Sequence, residues 1–251
     1  MELTLEGRVA IVSGGSRGIG AAIARSLARE GVSVVICARG KGPLDIVRDE
    51  IVLSGGKALA ISADCTDPVD VGNVVDRTID EFHGVDILVN NVGGAGRFAD
   101  FMELSDSDWL NVFRLNMLSN VYFVRYVLPW LRYSKSPRII NISSISGLQP
   151  GFYNPHYASV KAAVINFSKY LANVLASDGI LVNTVCPGPV LNDSWDKDVR
   201  RMTEETQKIP LGRIGEADDV ADLVTFLASE RASWITGSCF HVNGGKFRSI
   251  H

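Results

Sequence analysis

The sequence predicts an α/β fold, in which helices cover both faces of one parallel β-sheet. Seven short apolar segments alternate with longer amphipathic segments along the 251 residues. This alternation is typical of strand–helix–strand units with right-handed crossovers. The chain contains no internal repeat, low-complexity segment or convincing linker, so we interpret residues 1–251 as a single domain.

Each predicted strand is an apolar run, and most of these runs are followed by a segment with helical periodicity. The predicted strands are the segments RVAIVSG, VSVVICA, KALAISA, VDILVNN, RIINISS, ILVNTVC and SCFHVNG. The predicted helices cover residues 18–30, 43–53, 68–82, 110–131, 157–176 and 217–227. The helix at 110–131 is apolar on most of its circumference, so we expect the sheet to cover one side and a second subunit the other.

Composition and charge argue against several classes of partner. The net charge is -3 and the pI about 5.8, which argues against a nucleic-acid or anionic-membrane partner. No run of about 18 apolar residues predicts a membrane-spanning helix. The four cysteines lie far apart and form no C-x-x-C pair. This favours free thiols in the reducing cytoplasm over disulfides or a metal site.

A glycine-rich turn joins the first predicted strand to the first helix. The segment SGGSRGIG places glycines at Gly14, Gly18 and Gly20, which permit a tight turn and a close approach of the backbone to a ligand. Free N–H groups at a helix N-terminus attract a pyrophosphate. The turn therefore predicts a dinucleotide site, although a glycine turn with G-x-x-x-G-x-G spacing can also be purely structural.

The end of the second strand bears on which dinucleotide binds. A domain that binds NAD usually carries an acidic residue about 20 residues after the glycine turn, where it accepts from the ribose 2′-OH. Here residues 33–42 contain no carboxylate, and Ala38 and Arg39 occupy the strand end. A guanidinium suits the 2′-phosphate of NADP, and Arg17 would add a second positive charge. We therefore expect NADP(H) in preference to NAD(H), unless both arginines are only solvated loop residues.

The segment HYASVK places a tyrosine and a lysine one helical turn apart. Tyr157 and Lys161 share a helix face, where the ammonium would lower the tyrosine pKa from its usual value of about 10. A tyrosine tuned in this way can act as a general acid/base. For this pair alone, an exposed tyrosine beside a solvated lysine is the common alternative. Ser144 and residues 90–94 end neighbouring predicted strands, which brings them to the same rim of the sheet.

These features together resemble the short-chain dehydrogenase/reductase family along nearly the full length of the chain. The matching motifs are residues 13–20, Asp64, residues 90–93, Asn116, Ser144, Tyr157, Lys161, CPGPV at 186–190, and the segment IPLGRIGEADDVADLVTFLASERASWITGSCFHVNGG. The resemblance implies a Rossmann-type doubly wound sheet of seven strands and an NAD or NADP cofactor. It also implies a homotetramer, or else a dimer.

The resemblance implies roles for individual residues. Tyr157 is expected to be the general acid/base, and Lys161 to tune it and bind the nicotinamide ribose. Ser144 is expected to hydrogen-bond the substrate carbonyl, and Asn116 to hold a water in a proton relay. A buried asparagine bonded locally to its own helix would also explain Asn116. The residues expected to contact the cofactor are Gly14, Ser16, Arg17, Gly18, Ile19, Gly20, Arg39, Asp64, Cys65, Asn91, Gly93, Tyr157, Lys161, Pro187, Gly188 and Val190.

Other positions refine this expectation. Asp64 is expected beside the adenine, the Val190 backbone beside the nicotinamide carboxamide, and Asn90 in a bond that steadies the central strand. Four positions depart from residues common in the family, namely Ser13, Val92, Asn192 and His156. Asn192 stands where a threonine often contacts the cofactor phosphates. We interpret His156 as a satisfied surface histidine, with a polar role beside the substrate as the alternative.

A substrate pocket is expected between the loop before the catalytic helix and residues 187–215, a proline-containing excursion that we predict to be a mobile lid. The predicted lining is Gly94, Ser146, Phe152, Tyr153, Pro189, Trp195 and Met202. This lining suits a partly apolar carbonyl compound. We predict an oxidoreductase that interconverts a ketone and a secondary alcohol. The alternatives are a 3-oxoacyl-[acyl-carrier-protein] reductase and a non-catalytic nucleotide-binding protein on the same fold.

Two charged positions bear on the choice between these substrates. Relatives that reduce acyl chains on a carrier protein tend to carry basic residues near the entrance. Lys135 keeps the positive charge at one such position, and Asp178 reverses it at another. Like charges across an interface with an acidic carrier would weaken docking. A free small ketone or alcohol is therefore the predicted substrate.

Overall fold

The computed structural model describes residues 2–151, 153–192 and 199–248. Within them, seven strands form one parallel sheet. The strands are β1 (Val9–Ser13), β2 (Ser33–Ala38), β3 (Lys57–Ser62), β4 (Ile87–Asn90), β5 (Arg138–Ile142), β6 (Leu181–Pro187) and β7 (Cys239–Val242). Their order across the sheet is β3-β2-β1-β4-β5-β6-β7. The predicted fold class is confirmed, and every strand lies within its predicted segment except β6, which extends one residue further.

The central strands are apolar on both faces because helices cover both sides of the sheet. Every residue of β1, β4 and β5 is buried, as is typical of parallel strands in doubly wound folds. The edge strands β3 and β7 are partly exposed. The strand order reverses between β1 and β4, and a crevice at the carboxyl ends of the strands is expected at this point.

Helices pack on the two faces around separate apolar clusters. The helices are α1 (Gly18–Arg29), α2 (Lys41–Leu53), α3 (Pro68–Phe82), α4 (Asp106–Phe113), α5 (Ser119–Leu131), α6 (Pro155–Leu175), α7 (Val199–Thr206) and α8 (Ala217–Ala228). On one face, α1 and α8 contribute Ile23, Leu27 and Val224. On the other face, α3 and α5 contribute Val74 and Phe123. Each such side chain contributes about 1.5–3 kcal/mol through burial.

Helix ends follow local sequence signals. At the start of α3, the Asp67 carboxylate accepts a hydrogen bond from the Val69 N–H, and Pro68 occupies the first helical position. His83 ends the same helix in the left-handed conformation, at φ 63°. At the start of α4, Ser105 and Asp108 form a reciprocal capping box. These caps explain why α3 begins and ends where its sequence pattern predicts.

The predicted helix at 110–131 is not one regular helix. Helix α4 begins earlier, at Asp106, and a π-helical turn at Arg114–Leu118 separates it from α5. Several large apolar side chains along α4, α5 and α6 are exposed on the single chain, namely Leu110, Phe113, Tyr126, Trp130, Tyr170 and Val174. The predicted excursion at 187–215 contains α7, and residues 193–198 of it lie outside the described residues. None of the described helices is long and apolar enough to cross a membrane.

Candidate active site

A cavity of about 610 Å³ opens at the carboxyl ends of the strands, where the strand order reverses. Its walls come from the glycine turn, the ends of β2, β4, β5 and β6, and one face of α6. Among the predicted cofactor residues, the cavity is lined by Gly14, Ser16, Arg17, Gly18, Ile19, Gly20, Arg39, Asp64, Cys65, Asn91, Gly93, Tyr157, Lys161, Pro187, Gly188 and Val190. The fold therefore brings every residue of that predicted set to one crevice.

The glycine turn is packed so closely that side chains cannot replace its hydrogens. A Cβ at Gly20 would lie 2.2 Å from the Gly14 carbonyl oxygen, and a Cβ at Gly14 would lie 2.9 Å from Asn91 Nδ2. Gly14 also has a φ of +69°, which favours glycine. Helix α1 starts at Gly18 with no side-chain cap from Arg17. The N–H groups of its first turn are therefore available to a bound anion, such as a pyrophosphate.

Ser13 and Asn91 join the glycine turn to the end of β4. The Ser13 hydroxyl accepts hydrogen bonds from the Asn91 N–H at 3.0 Å and the Val92 N–H at 3.1 Å. The Asn91 side-chain amide donates to the carbonyl oxygens of Ser13 and Gly14, at 3.0 and 3.2 Å. A serine at position 13 therefore supplies the hydroxyl that these two hydrogen bonds require. Asn90 bonds to Asn141 at 2.8 Å, which links β4 to β5.

Where the cavity meets the ends of β2 and β3, its lining includes the cationic side chain of Arg39 and the carboxylate of Asp64. Arg39 is exposed at the end of β2 and lines the cavity together with Asp64. The Asp64 carboxylate accepts from the N–H and the hydroxyl of Thr66, at 2.9 and 2.8 Å. These bonds, with a smaller contribution from Arg39, hold the pKa of Asp64 below its usual value. The carboxylate stays ionised, while the Arg39 side chain is exposed at the rim of the cavity.

Tyr157, Lys161 and Ser144 meet in the middle of the cavity. The Ser144 hydroxyl lies close enough to Tyr157 to influence the pKa of its phenol. Lys161 is buried, its Nζ donates to the Ile142 carbonyl oxygen at 2.9 Å, and the same Nζ lies 5.6 Å from the centroid of the Tyr157 ring. The alternative of an exposed tyrosine beside a solvated lysine is therefore excluded.

The sequence predicted that the Lys161 ammonium lowers the pKa of Tyr157. With the residues of the protein alone, this prediction is wrong. Burial raises the pKa of Tyr157, and the nearby Ser144 hydroxyl only partly opposes this effect. Burial also lowers the pKa of Lys161 to about 8, because a buried ammonium loses its hydration. The lysine donates to Ile142 rather than to the phenol oxygen. Tyr157 is thus kept in its protonated form, as a proton donor requires.

Asn116 lies in the π-helical turn and fixes the loop that follows β4. Its side-chain amide donates to the carbonyl oxygens of Gly94 and Val112, both at 2.9 Å, and its Oδ1 accepts from the Gly94 N–H at 3.1 Å. Asn116 is fully buried. A Cβ at Gly93 would lie 2.6 Å from Asn116 Oδ1 and 3.2 Å from Lys161 Nζ, so only glycine permits this approach. The local-bonding interpretation of Asn116 is confirmed, and a bond to the next loop is added to it.

Two residues that the sequence did not single out hold Ser144 against α6. The Ser143 hydroxyl donates to the Lys161 carbonyl oxygen at 2.8 Å. A Cβ at Gly147 would lie 2.6 Å from the Lys161 carbonyl carbon, so the short turn after Ser144 packs directly on the helix backbone. The doubled serine in RIINISS and the glycine three residues later were the only signals in the sequence.

The predicted substrate residues are only partly brought together. Gly94 lines the main cavity, and Ser146 donates its N–H to the Ser144 hydroxyl at 3.1 Å. Tyr153 is mostly exposed. Pro189 lines a separate cavity of about 160 Å³, and Met202 packs on Ile209 and Ile214, so neither is among the residues that line the main cavity, and their contact with a substrate stays a prediction. The Pro189 carbonyl oxygen accepts from the Gly215 N–H at 3.0 Å, which holds Pro189 beside the separate cavity. Phe152 and Trp195 lie outside the described residues.

His156 is not a surface histidine. Its side chain is 0 % exposed, and neither ring nitrogen has a hydrogen-bond partner among the described residues. The ring makes an edge contact with Trp109, at 5.9 Å between centroids, and a Cβ at Gly96 would lie 3.3 Å from its Nε2. The prediction failed because α4 and the loop after β4 both pack over the start of α6. His156 is therefore a buried residue packed between α6, Trp109 of α4 and the loop at Gly96.

This burial predicts a pH dependence of stability. Burial lowers the pKa of His156 below its ordinary value of 6.5, and the Asp108 carboxylate opposes this only in part. Below pH 6.5 the unfolded chain binds a proton that the folded chain does not, so stability falls as the pH falls. As the pH falls below 6.5, the free energy of unfolding of wild type should fall by up to about 1.4 kcal/mol per pH unit more than that of His156→Phe. Urea unfolding at several pH values measures this difference. His83→Asn, which removes an exposed imidazole, should follow wild type. Parallel curves for wild type and His156→Phe would contradict the expectation.

The charge reversal at Asp178 is compensated. The Asp178 carboxylate accepts from Arg132 Nε at 2.8 Å, and Lys135 lies three residues further along the same turn of chain. Counting Arg132, Lys135 and Asp178, this surface carries one net positive charge rather than a cancelled pair. Arg132 lies 46 residues away from Asp178 in the chain, so this partner was not evident from the sequence. The charge of Asp178 therefore opposes an acidic carrier less than predicted.

No group of three or more His, Cys, Asp or Glu side chains within residues 2–151, 153–192 and 199–248 is arranged to hold a metal ion. The crevice instead offers backbone N–H groups, a cation at the rim and a tyrosine–serine pair. These groups fit a dinucleotide, because the closely packed glycines leave the start of α1 open to phosphates.

Comparison with known proteins places this arrangement among reductases. The profile of a family described as enoyl-(acyl carrier protein) reductase matches residues 14–246. A 3-oxoacyl-[acyl-carrier-protein] reductase from Vibrio cholerae is 38% identical over 246 residues, covering 98% of this chain and 99% of the relative. The enzyme of the same name from Escherichia coli is 36% identical over 251 residues, with coverage of 98% and 99%.

Solved structures agree with this placement. The crystal structure of L-sorbose reductase from Gluconobacter frateurii, complexed with NADPH and L-sorbose, superposes with a TM-score of 0.94 at 32% identity and covers 100% of both chains. A variant of a Serratia marcescens short-chain dehydrogenase/reductase superposes with a TM-score of 0.92 at 33% identity, covering 97% of this chain and 99% of that one.

Proposed function

Since the chain belongs to the short-chain dehydrogenase/reductase family of oxidoreductases, we propose that it interconverts a ketone and a secondary alcohol with NADP(H), using Tyr157 as the general acid/base. The observation that carries the proposal is that Ser144, Tyr157 and buried Lys161 line the same crevice as the glycine turn, with Lys161 Nζ 5.6 Å from the Tyr157 ring centroid. A non-catalytic nucleotide-binding protein would have no need of this arrangement.

The chain's own residues supply orientation and the proton. A bound nicotinamide supplies the hydride that adds to the carbonyl carbon. Ser144 and Tyr157 hold the carbonyl oxygen between two hydroxyl groups, which fixes the carbon in the cavity. As the oxygen gains negative charge, Tyr157 transfers its proton to it and is left as the phenolate. The Lys161 ammonium, 5.6 Å from the ring centroid, stabilises that phenolate. The raised pKa of Tyr157 suits this direction, because the phenol enters the reaction protonated.

The cofactor preference is assigned to Arg39. Its guanidinium stands at the end of β2, no carboxylate occurs in residues 33–42, and one solved relative is a complex with NADPH. One charge-assisted contact with the 2′-phosphate contributes about 1.5–3 kcal/mol. We therefore expect wild type to prefer NADPH over NADH by about ten- to a hundredfold in Kd, and Arg39→Ala to lose most of this preference. Arg29→Ala, at the exposed end of α1, is the matched control. A wild type that binds NADH more tightly would contradict the assignment.

The substrate is proposed to be a free small ketone or its alcohol. Besides Tyr157, the lining of the cavity includes Gly94 and the apolar side chains of Leu115 and Val190. A second candidate, a 3-oxoacyl group on a carrier protein, is favoured by the relatives from Vibrio cholerae and Escherichia coli and by the positive surface at Arg132 and Lys135. The two candidates share the same chemistry at Tyr157 and differ in what must dock outside the cavity.

Comparison of kcat/KM separates the two candidates. The measurement uses NADPH with 3-oxobutanoyl-carrier protein and with a panel of free ketones that includes L-sorbose. A higher kcat/KM for a free ketone is expected from the proposal. A clear preference for the carrier-bound substrate, lost in the double variant Arg132→Glu with Lys135→Glu, would establish the second candidate in its place.

Self-association is proposed from the exposed apolar surface. The outer faces of α4, α5 and α6 expose large apolar side chains that water would otherwise solvate, including Leu110, Tyr126 and Trp130. Pairing this surface with a second copy across a two-fold axis would bury it. Light scattering at micromolar concentration is expected to give a dimer or tetramer, and a monomer would contradict the proposal.

A further inference from the structure

Two free cysteines lie side by side at the end of the sheet next to the catalytic groups. In the register of the sheet, Cys239 on β7 stands opposite Thr184 on β6, and Cys186 stands opposite His241. Cys186 and Cys239 are therefore two residues apart along neighbouring strands and project from the same face. Their sulfur atoms lie 3.3 Å apart. Chain positions 53 residues apart are thus brought within contact of each other.

The two thiols differ in exposure. Cys186 is 0 % exposed, whereas Cys239 is partly accessible at the edge strand. The pKa of Cys239 is lowered because the Cys186 thiol can donate to its thiolate, and the pKa of Cys186 is correspondingly raised. The accessible member of the pair is thus the one that forms the thiolate, which is the reactive form of cysteine. The other pair, Cys37 and Cys65, is buried on both sides and has sulfurs 4.0 Å apart.

Cys186 lies beside the strand end that carries Ser144. The Ser143 N–H donates to the carbonyl oxygen of Val185, the residue before Cys186, at 2.8 Å. The Ser143 hydroxyl and the Ser144 N–H lie close enough to the Cys186 sulfur to oppose the rise in its pKa. The next residues along β6, Pro187 and Gly188, line the main cavity. Gly188 is held to β7 by its N–H, which donates to the Val242 carbonyl oxygen at 2.8 Å. A movement of the Cys186 sulfur is therefore transmitted to Ser144 and to the end of the cavity formed by β6.

We propose that Cys186 and Cys239 form a reversible disulfide that lowers the enzyme's turnover, with a peroxide as the oxidant. The Cys239 thiolate attacks one oxygen of hydrogen peroxide, which gives a sulfenic acid and hydroxide. The Cys186 sulfur then attacks the sulfenic sulfur, the S–O bond breaks, and the thiol proton leaves with the departing hydroxide as water. In sum, two thiols give up two electrons and two protons, and one peroxide becomes two waters.

The disulfide would disturb the catalytic serine. A disulfide bond has an S–S length of about 2.05 Å, so the sulfurs must close by ~1.2 Å from their present separation of 3.3 Å. This shifts the Cys186 sulfur relative to the neighbouring strand end that carries Ser144. Displacements of about 1 Å at catalytic groups lower rates strongly. We expect kcat/KM to fall by about tenfold or more in the oxidised protein and to recover fully with dithiothreitol.

Mass spectrometry on the wild-type protein tests the bond itself. After exposure to hydrogen peroxide, the protein is unfolded and treated with N-ethylmaleimide, which labels all four cysteines of the reduced chain. The proposal predicts loss of two labels and a disulfide between the tryptic peptides 170–197 and 232–246, which contain Cys186 and Cys239. Four labels, or oxygen added to Cys239 with no cross-linked peptide, would overturn the proposal.

The effect on turnover is measured with NADPH and ethyl 3-oxobutanoate as the probe. Peroxide should lower kcat/KM in wild type and in Cys37→Ala, the matched control, and should leave Cys239→Ser unchanged. A disulfide that forms without any fall in kcat/KM would overturn the coupling to turnover. The turnover readout rests on the proposed function, whereas the mass readout does not. Failure of the function would therefore show as a cross-linked protein that never reduced the probe.

Discussion

Tyr157→Phe is expected to lose about 10²–10⁴-fold in kcat while the Kd for NADPH changes less than about twofold. The substitution removes the phenol hydroxyl that lies in the cavity with Ser144 and keeps the ring that lies 5.6 Å from Lys161 Nζ. The proton that the carbonyl oxygen needs is then absent from the site, and water cannot replace it with the same geometry. The cofactor-binding surface of the glycine turn and Arg39 is unchanged.

The matched control is Tyr133→Phe, which removes a phenol hydroxyl from an exposed side chain. It should retain wild-type kcat. Steady-state kinetics with NADPH, together with fluorescence titration of NADPH into each variant, separates turnover from binding. A Tyr157→Phe protein that kept a tenth of the wild-type rate would require another proton donor in the cavity.

Gly20→Ala should have the second largest effect, on both cofactor binding and stability. Its Cβ would lie 2.2 Å from the Gly14 carbonyl oxygen and 2.4 Å from Asn91 Nδ2, and the nearer of these is backbone that cannot rotate away. The glycine turn must therefore shift, which costs about 1–3 kcal/mol of stability. The shift also misaligns the N–H groups at the start of α1, and losing two such bonds weakens NADPH binding by about a hundredfold.

Gly42→Ala is the matched control, because its Cβ would meet nothing within 4 Å and its position lies inside α2. Replacement of a helical glycine by alanine stabilises a helix by about 1 kcal/mol, so this variant should be at least as stable as wild type. Urea unfolding and NADPH titration of both variants give the comparison. Unchanged NADPH affinity in Gly20→Ala would show that the glycine turn does not hold the cofactor.

The fold was predictable because it depends on periodic patterns. Seven apolar runs and the helical segments between them predict the α/β class, and the predicted helix at 68–82 has the bounds of α3. The glycine turn, Tyr157 and Lys161 were predictable as well, because each is a short motif whose residues sit close together in the chain. The strand order then brings these separate motifs to one rim.

Features that depend on packing between distant segments were not predictable. The π turn at Arg114–Leu118 comes with the bonds of Asn116 to Gly94, 22 residues away. His156 looked like a surface residue because nothing nearby in the sequence indicates that Trp109 covers it. The pKa of Tyr157 is raised because burial outweighs the effect of the nearby Ser144 hydroxyl, and burial cannot be counted from a motif.

Transfer of deuterium from the cofactor tests the central claim most directly. Wild-type protein is incubated with NADPH that carries deuterium at the hydride-donating carbon, together with the ketone panel and 3-oxobutanoyl-carrier protein. The account predicts an alcohol product with deuterium on the former carbonyl carbon, formed by wild type and not by Tyr157→Phe. An absence of any reduced product from wild type, or an alcohol without deuterium at that carbon, would contradict it.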